Sequence, residues 1–276
     1  MINIPSRLPQ RLLTVAALSL AIAISGCQQQ PDTKTADNTQ NNNPDVNTTM
    51  AEPQTPESTQ SNESTNSAEQ QAALTILALG DSLTEGLGVD NNANYPAQLE
   101  ARLQELGYKD VKVINSGLSG ETSTGLVNRL DWVLQTKPDI TILTIGANDA
   151  IRGIDVATVE ANIRTAIKRL QDGGSEVILG GMQIYDNLGV DYVESFAAIY
   201  PRVAKDMNVT LIPFFLDGVG GDAKLNQADA IHPTKKGYTI IVNDNILPIL
   251  QPEIEKLEAA YTDTATKPST PTETSQ

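Results

Sequence analysis

Acyl-transfer chemistry needs a nucleophile, a base within hydrogen-bond reach of it and a group that orients the base. Ser82 stands in Gly80-Asp81-Ser82-Leu83, directly behind the apolar run Leu74–Leu79. The only histidine of the 276-residue chain, His232, lies in Asp229-Ala230-Ile231-His232-Pro233. A serine hydroxyl is a weak nucleophile until a base takes its proton, and a neutral imidazole is the usual base. Asp229 precedes His232 by three residues, a spacing that lets its carboxylate reach the imidazole N–H. It would fix the ring tautomer and stabilise the cation formed during reaction. These residue types predict a serine hydrolase whose nucleophile ends the first strand.

Two further loops carry groups suited to an oxyanion. In Asn115-Ser116-Gly117-Leu118-Ser119-Gly120, the residue without a Cβ at Gly117 would let its N–H approach a substrate oxygen. In Gly146-Ala147-Asn148-Asp149, the Asn148 side-chain amide would donate to the same oxygen. Donors fixed where negative charge develops often supply the largest catalytic contribution. The structural alternatives are a flexible strand-to-helix connection for the first loop and a helix-capping turn for the second. A helix after Ser82 would aim its N-terminal amides at the oxyanion as well. Ile151 and Ile154, in the loop Ala150–Asp155, are the candidate apolar wall beside an acyl chain. One histidine, and no cysteine after Cys27, provide no cluster of nitrogen or sulfur ligands, so metal catalysis is not expected.

These loops need a frame that brings them to one edge. Short apolar runs at Leu74–Leu79, Val111–Ile114, Ile140–Ile145, Val177–Leu179 and Val209–Ile212 read as strands. Their continuous apolar character suits burial on both faces, as in parallel sheets under helices. Pro96–Leu106 reads as a helix with Leu99, Leu103 and Leu106 inward and Gly107 as its stop. Val156–Gln171 presents Val159, Ile163, Ala166, Ile167 and Leu170, with Gly173-Gly174 as terminator. Asp191 and Glu194 have the spacing of a capping box ahead of Phe196, Ile199 and Val203. A last helix is expected from about Lys236 past Leu250, interrupted near Pro248. The alternation predicts a flavodoxin-like three-layer α/β/α sandwich with a five-stranded parallel sheet and right-handed crossovers. Its ligand crevice should lie at the carboxyl ends of the strands. Ser82, Asn115–Gly120, Gly146–Asp149 and His232 each follow a different expected strand, so all four should meet there.

The rest of the chain is of other material. Arg7 and Arg11, the apolar Leu12–Ile24 and the small residues before Cys27 read as an export signal over residues 1–27. Residues 28–73 are rich in Gln, Asn, Thr, Ser and Pro, and seven acidic residues face Lys34 alone, a balance of −6. Such a segment cannot bury enough apolar surface to offset its ordering entropy and should form a disordered tether. The domain is expected over residues 74–261, with a loose tail over 262–276. From Ala73 to Tyr261 there are 25 acidic and 15 basic residues, a balance of −10 that argues against nucleic acid as a partner.

Gly80-Asp81-Ser82-Leu83 with Gly86, then Gly117, Gly146-x-Asn148-Asp149 and Asp229-x-x-His232 resemble the four sequence blocks of the GDSL or SGNH hydrolase superfamily. Ile199-Tyr200-Pro201 and Ile212-Pro213-Phe214-Phe215 resemble its bacterial periplasmic branch of acyl-CoA thioesterases, lysophospholipases and arylesterases. The resemblance implies an acyl-enzyme mechanism without metal or cofactor, acting on small-molecule acyl esters and thioesters. Ile24-Ser25-Gly26-Cys27 resembles a bacterial lipobox, which implies a lipid anchor on Cys27. Gln28 at the next position suggests outer-membrane sorting, facing the periplasm. Two departures stand out: the branch is often freely soluble, and the loop Gly181–Tyr192 lacks the basic, proline-containing character expected there. No Gly-x-Ser-x-Gly elbow surrounds Ser82, which disfavours the ordinary α/β-hydrolase fold. A carbohydrate O-deacetylase and a non-catalytic lipid-binding lipoprotein remain the alternatives at this point.

Overall fold

The computed structural model describes residues 74–185 and 188–266. The export signal, Cys27, the acidic tether and residues 267–276 lie outside the described residues. Strands β1 (Thr75–Gly80), β2 (Lys112–Gly117), β3 (Ile140–Thr144), β4 (Glu176–Gly180) and β5 (Thr210–Ile212) form one parallel sheet in the order β2-β1-β3-β4-β5. The apolar runs at β1 and β3 become the central strands, buried along almost their whole length. The more polar β2 and the three-residue β5 take the edges. Gly80 pairs with Gly117 on one side and Thr144 on the other, so the last residues of β1, β2 and β3 lie abreast. The chain leaves β1 toward one edge and returns to β3 on its other side, which opens a crevice at their carboxyl ends.

Helices cover both faces. Helix α2 (Tyr95–Glu105) packs with α8 (Lys235–Ile240) on one, and α3 (Ser123–Val133), α5 (Val156–Asp172) and α7 (Ile199–Met207) pack side by side on the other. The short helices α1 (Ser82–Glu85) and α4 (Ala147–Ile151) and the eight-residue α6 (Val190–Ala197) follow β1, β3 and β4. The α5 stripe predicted from spacing is buried at all five positions, and Asp155 caps its first turn. Helix α2 is capped by Asn94 and buries Leu99 and Leu103. Leu106, expected inward, ends the helix instead and is exposed.

Three further expectations are corrected. Helix α6 begins at Val190 behind Gly189 (φ 88), with no side-chain cap. Asp191 therefore lies inside the first turn, where it meets the positive helix end, and Glu194 has no capping box to close. The last helix is not interrupted at Pro248. A π-helical stretch, Ile241–Ile246, joins α8 to α9 (Leu247–Thr266), and the Leu247 N–H bonds back to the Val242 carbonyl. Proline lacks an N–H and its ring crowds the carbonyl four residues earlier; the wider π turn accommodates both. Helix α9 continues five residues past Tyr261, beyond the domain boundary expected there.

Candidate active site

All four candidate loops leave the same edge of the sheet. Ser82 opens α1 directly after β1, and its N–H stands at the open helix end, where amides lack intrahelical acceptors. Asp81 is the N-cap, with Oδ1 accepting from the Leu83 N–H at 3.0 Å. His232 comes from the long connection after β5. Its Nε2 lies 2.8 Å from Ser82 Oγ and its Nδ1 lies 2.7 Å from Asp229 Oδ2. Asp229 Oδ1 also accepts the backbone N–H groups of Ile231 at 2.9 Å and His232 at 3.0 Å. The His232 N–H, then the Ile231 N–H, then the imidazole hold the Asp229 carboxyl down at about 2. An ionised carboxylate can only accept, so Nδ1 carries a proton, and in the neutral ring Nε2 then faces the serine hydroxyl as an acceptor.

Asn148 is the second residue of α4 rather than its cap. The N-cap is Gly146 (φ 119), where a Cβ would collide with the Tyr200 hydroxyl. That hydroxyl donates to the Ile145 carbonyl at 2.9 Å, fixing the turn from below. The Asn148 amide donates to Asp81 Oδ2 at 3.4 Å, which links the third loop to the residue before the serine. The next residue, Asp149, is fully buried and accepts both the N–H (2.8 Å) and the hydroxyl (2.7 Å) of Ser123 at the start of α3. Asp81 is also buried. Burial raises its carboxyl from the usual range to about 6, against the lowering effect of the Leu83 and Asn148 hydrogen bonds.

Gly117 does not have the free N–H expected of it. It ends β2, and its N–H donates to Asn115 Oδ1 at 3.0 Å. It lines a different hollow, with Glu85, Asn94 and Pro96, and a Cβ there would collide with the Glu85 backbone. Gly120 lies three residues on, in the left-handed region (φ 77), and among the described residues its N–H has no partner. Arg152 donates to both the Gly120 carbonyl (2.9 Å) and the Asn148 carbonyl (3.2 Å), clamping these two loops together. A second arginine, Arg129 of α3, forks onto buried Glu121 and onto the Ser116 hydroxyl and carbonyl, both at 2.8 Å. Neither arginine stood out in the sequence; a cation on the inner part of a helix was the signal for Arg129.

Beside the serine and histidine lies a groove of about 520 Å³. Leu83, Ala147, Ile151, Met182, Phe214 and Ile231 are among the residues that line it, and none of the described lining residues is charged. Ile151 lines this groove. Ile154 does not: it packs partly buried against the core, and its carbonyl accepts from Tyr192 Oη at 2.6 Å. Among the described residues, no group of three His, Cys, Asp or Glu side chains could hold a metal ion.

Residues 78–240 match the model of the GDSL-like lipase/acylhydrolase family, and the chain belongs to it. It is 37% identical to the esterase TesA of Pseudomonas aeruginosa over 67% of this chain and 91% of that one. An arylesterase of Vibrio mimicus is 35% identical over 60% of this chain and 84% of its own. The crystal structure of TesA superposes with a TM-score of 0.62, covering 64% of this chain and 98% of that one. The psychrotrophic esterase EstA from Pseudoalteromonas, solved in a form inhibited by monoethylphosphonate, also gives 0.62, at 30% identity over 66% and 98%. The protein is accordingly a serine ester hydrolase of small-molecule substrates.

The buried Asp81 carboxyl has a measurable consequence. Its folded pKa lies above the unfolded value, so its stabilising contribution is fully present below about pH 4. That contribution is lost as pH rises through about 6. Asp81→Asn keeps an oxygen for the Leu83 N–H but cannot ionise. The melting temperature of the variant minus that of the wild type should therefore increase between about pH 4 and pH 7. Thermal scans across that range giving a constant difference would contradict an ionisable group buried at this point.

Proposed function

We propose that Ser82 is the acylated nucleophile, His232 its base and Asp229 the group that orients the base. The observation that carries this is the unbroken relay from Asp229 Oδ2 through both imidazole nitrogens to Ser82 Oγ, at 2.7 and 2.8 Å. His232 Nε2 takes the hydroxyl proton while Oγ bonds to the ester carbonyl carbon. The tetrahedral intermediate collapses as the same proton passes to the departing alcohol or thiol. A water then repeats the sequence on the acyl-enzyme, releasing the acid and restoring the serine. The oxyanion is held by the N–H groups of Ser82 and Gly120 and by the Asn148 amide. Gly120 replaces Gly117 in this reading because the Gly117 N–H is already engaged.

The acid released from the acyl-enzyme is a medium or long fatty acid. An uncharged, mostly apolar groove alongside the relay favours a hydrocarbon chain over the acetyl group of a carbohydrate ester. The lipobox-like Cys27 supports export and a lipid anchor that moors the domain at the cell envelope, beside amphiphilic substrates.

If the Asn148 amide stabilises the oxyanion, Asn148→Ala should lower kcat by about 10²–10³-fold with KM little changed, since the bond strengthens as charge develops. A near-normal kcat in a folded variant would remove Asn148 from the site. For the anchor, wild-type protein should partition with membranes into detergent and Cys27→Ser protein should not. Wild-type protein found only in the soluble fraction, with an unmodified N-terminus, would reject it.

A further inference from the structure

The loop that carries the proposed base holds a strained residue. Ala230, between Asp229 and His232, has φ 61, a left-handed conformation that costs an alanine energy and a glycine almost none. The loop is tied on its far side through Gln227. The Gln227 backbone N–H donates to the His232 carbonyl at 2.8 Å, and its side chain donates to the Leu87 carbonyl at 2.7 Å. On the groove side, among the described residues, the tie is from Tyr185 Oη, which donates to the Ala230 carbonyl at 3.1 Å. Among the described residues that carbonyl has no other donor. Tyr185 belongs to the connection after β4, the segment whose composition departs from the family pattern, and it lines the groove beside Ile151 and Ile231.

We propose that Tyr185 is a positioning residue, whose phenol holds Ala230 in its left-handed conformation and thereby keeps His232 aligned on Ser82. Without the phenolic hydrogen bond the peptide after Ala230 keeps only the Ile231 N–H bond to Asp229 Oδ1, at 2.9 Å, to oppose its turning toward negative φ. His232 lies two residues further on and its Nε2 would swing away from Ser82 Oγ. The same ring forms part of the groove, so the wall that an acyl chain touches and the loop that holds the base are joined through one side chain. This rests on the reading of Ser82 and His232 as nucleophile and base.

The test is a double-mutant comparison in the full chain, assayed with p-nitrophenyl butyrate. Tyr185→Phe should lower kcat by about three- to tenfold, the population change expected from one ordinary hydrogen bond, with KM moving less than about twofold. The rate at which a fluorophosphonate labels Ser82 should fall in parallel. In an Ala230→Gly background the same Tyr185→Phe change should alter kcat by less than about twofold, because glycine adopts φ > 0 unaided. An equal loss in both backgrounds would overturn the proposal, as would an unchanged kcat in the native one. Inactivity of Ala230→Gly itself would overturn the strain argument. A wild-type enzyme that is active but unlabelled at Ser82 would instead remove the underlying nucleophile assignment.

Discussion

Ser82 and His232 are 150 residues apart in sequence, yet their side chains meet at 2.8 Å because every strand of the sheet runs the same way. In a parallel sheet the carboxyl ends of all strands share one edge, and whatever follows them is delivered to that edge. The contact also needs β1 near the middle of the sheet, since a serine after an edge strand would face one neighbour only. Apolar Ile76–Leu79, buried on both faces, is what puts β1 there. The remaining geometry depends on this placement: β2 and β3 flank β1 in register, so their loops open on either side of Ser82.

A buried polar network then converts rough proximity into fixed positions. Asp81 joins Leu83 to Asn148, Asp149 ties α4 to the start of α3, and Arg129 reaches back from α3 to Glu121 and Ser116. Each group is a charge or an amide taken out of water. Such groups are tolerated only when their hydrogen bonds are satisfied, and a satisfied network admits few arrangements. Asp81, Asp149 and Arg129 therefore hold the site without bonding to Ser82 Oγ or His232, and of this network only Asn148 is proposed to meet the oxyanion. The Asp229–His232 pair differs, because half-exposed Asp229 is held by the backbone of its own loop as well as by the ring.

Much of this was legible in the sequence because it is local. Continuous apolar runs reveal two-sided burial, and the 3.6-residue stripe of α5 reveals one buried face. The Asp229–His232 spacing is short enough to be read as one loop. What escaped is what depends on partners distant in sequence. Helix α3 opens with Thr122-Ser123-Thr124-Gly125, which reads as loop until Thr122 is seen capping it and Ser123 meeting Asp149. Gly117 and Gly120 are alike as residue types; only the Asn115 bond that occupies one and the left-handed turn at the other distinguish them. Ile151 and Ile154 are three residues apart, but the short α4 turns one into the groove and the other toward the core. The tie between Tyr185 and Ala230 spans 45 residues and two loops, beyond the reach of any periodicity.

The central claim is that catalysis passes through a covalent bond to Ser82. Intact mass and peptide mapping after treatment with a fluorophosphonate, whose fluoride leaves as the serine oxygen bonds to phosphorus, address it most directly. The account predicts one adduct per chain, located on Ser82, formed in step with loss of esterase activity and absent from Ser82→Ala. Full inactivation with the adduct on another residue, or ester hydrolysis retained in Ser82→Ala, would contradict it.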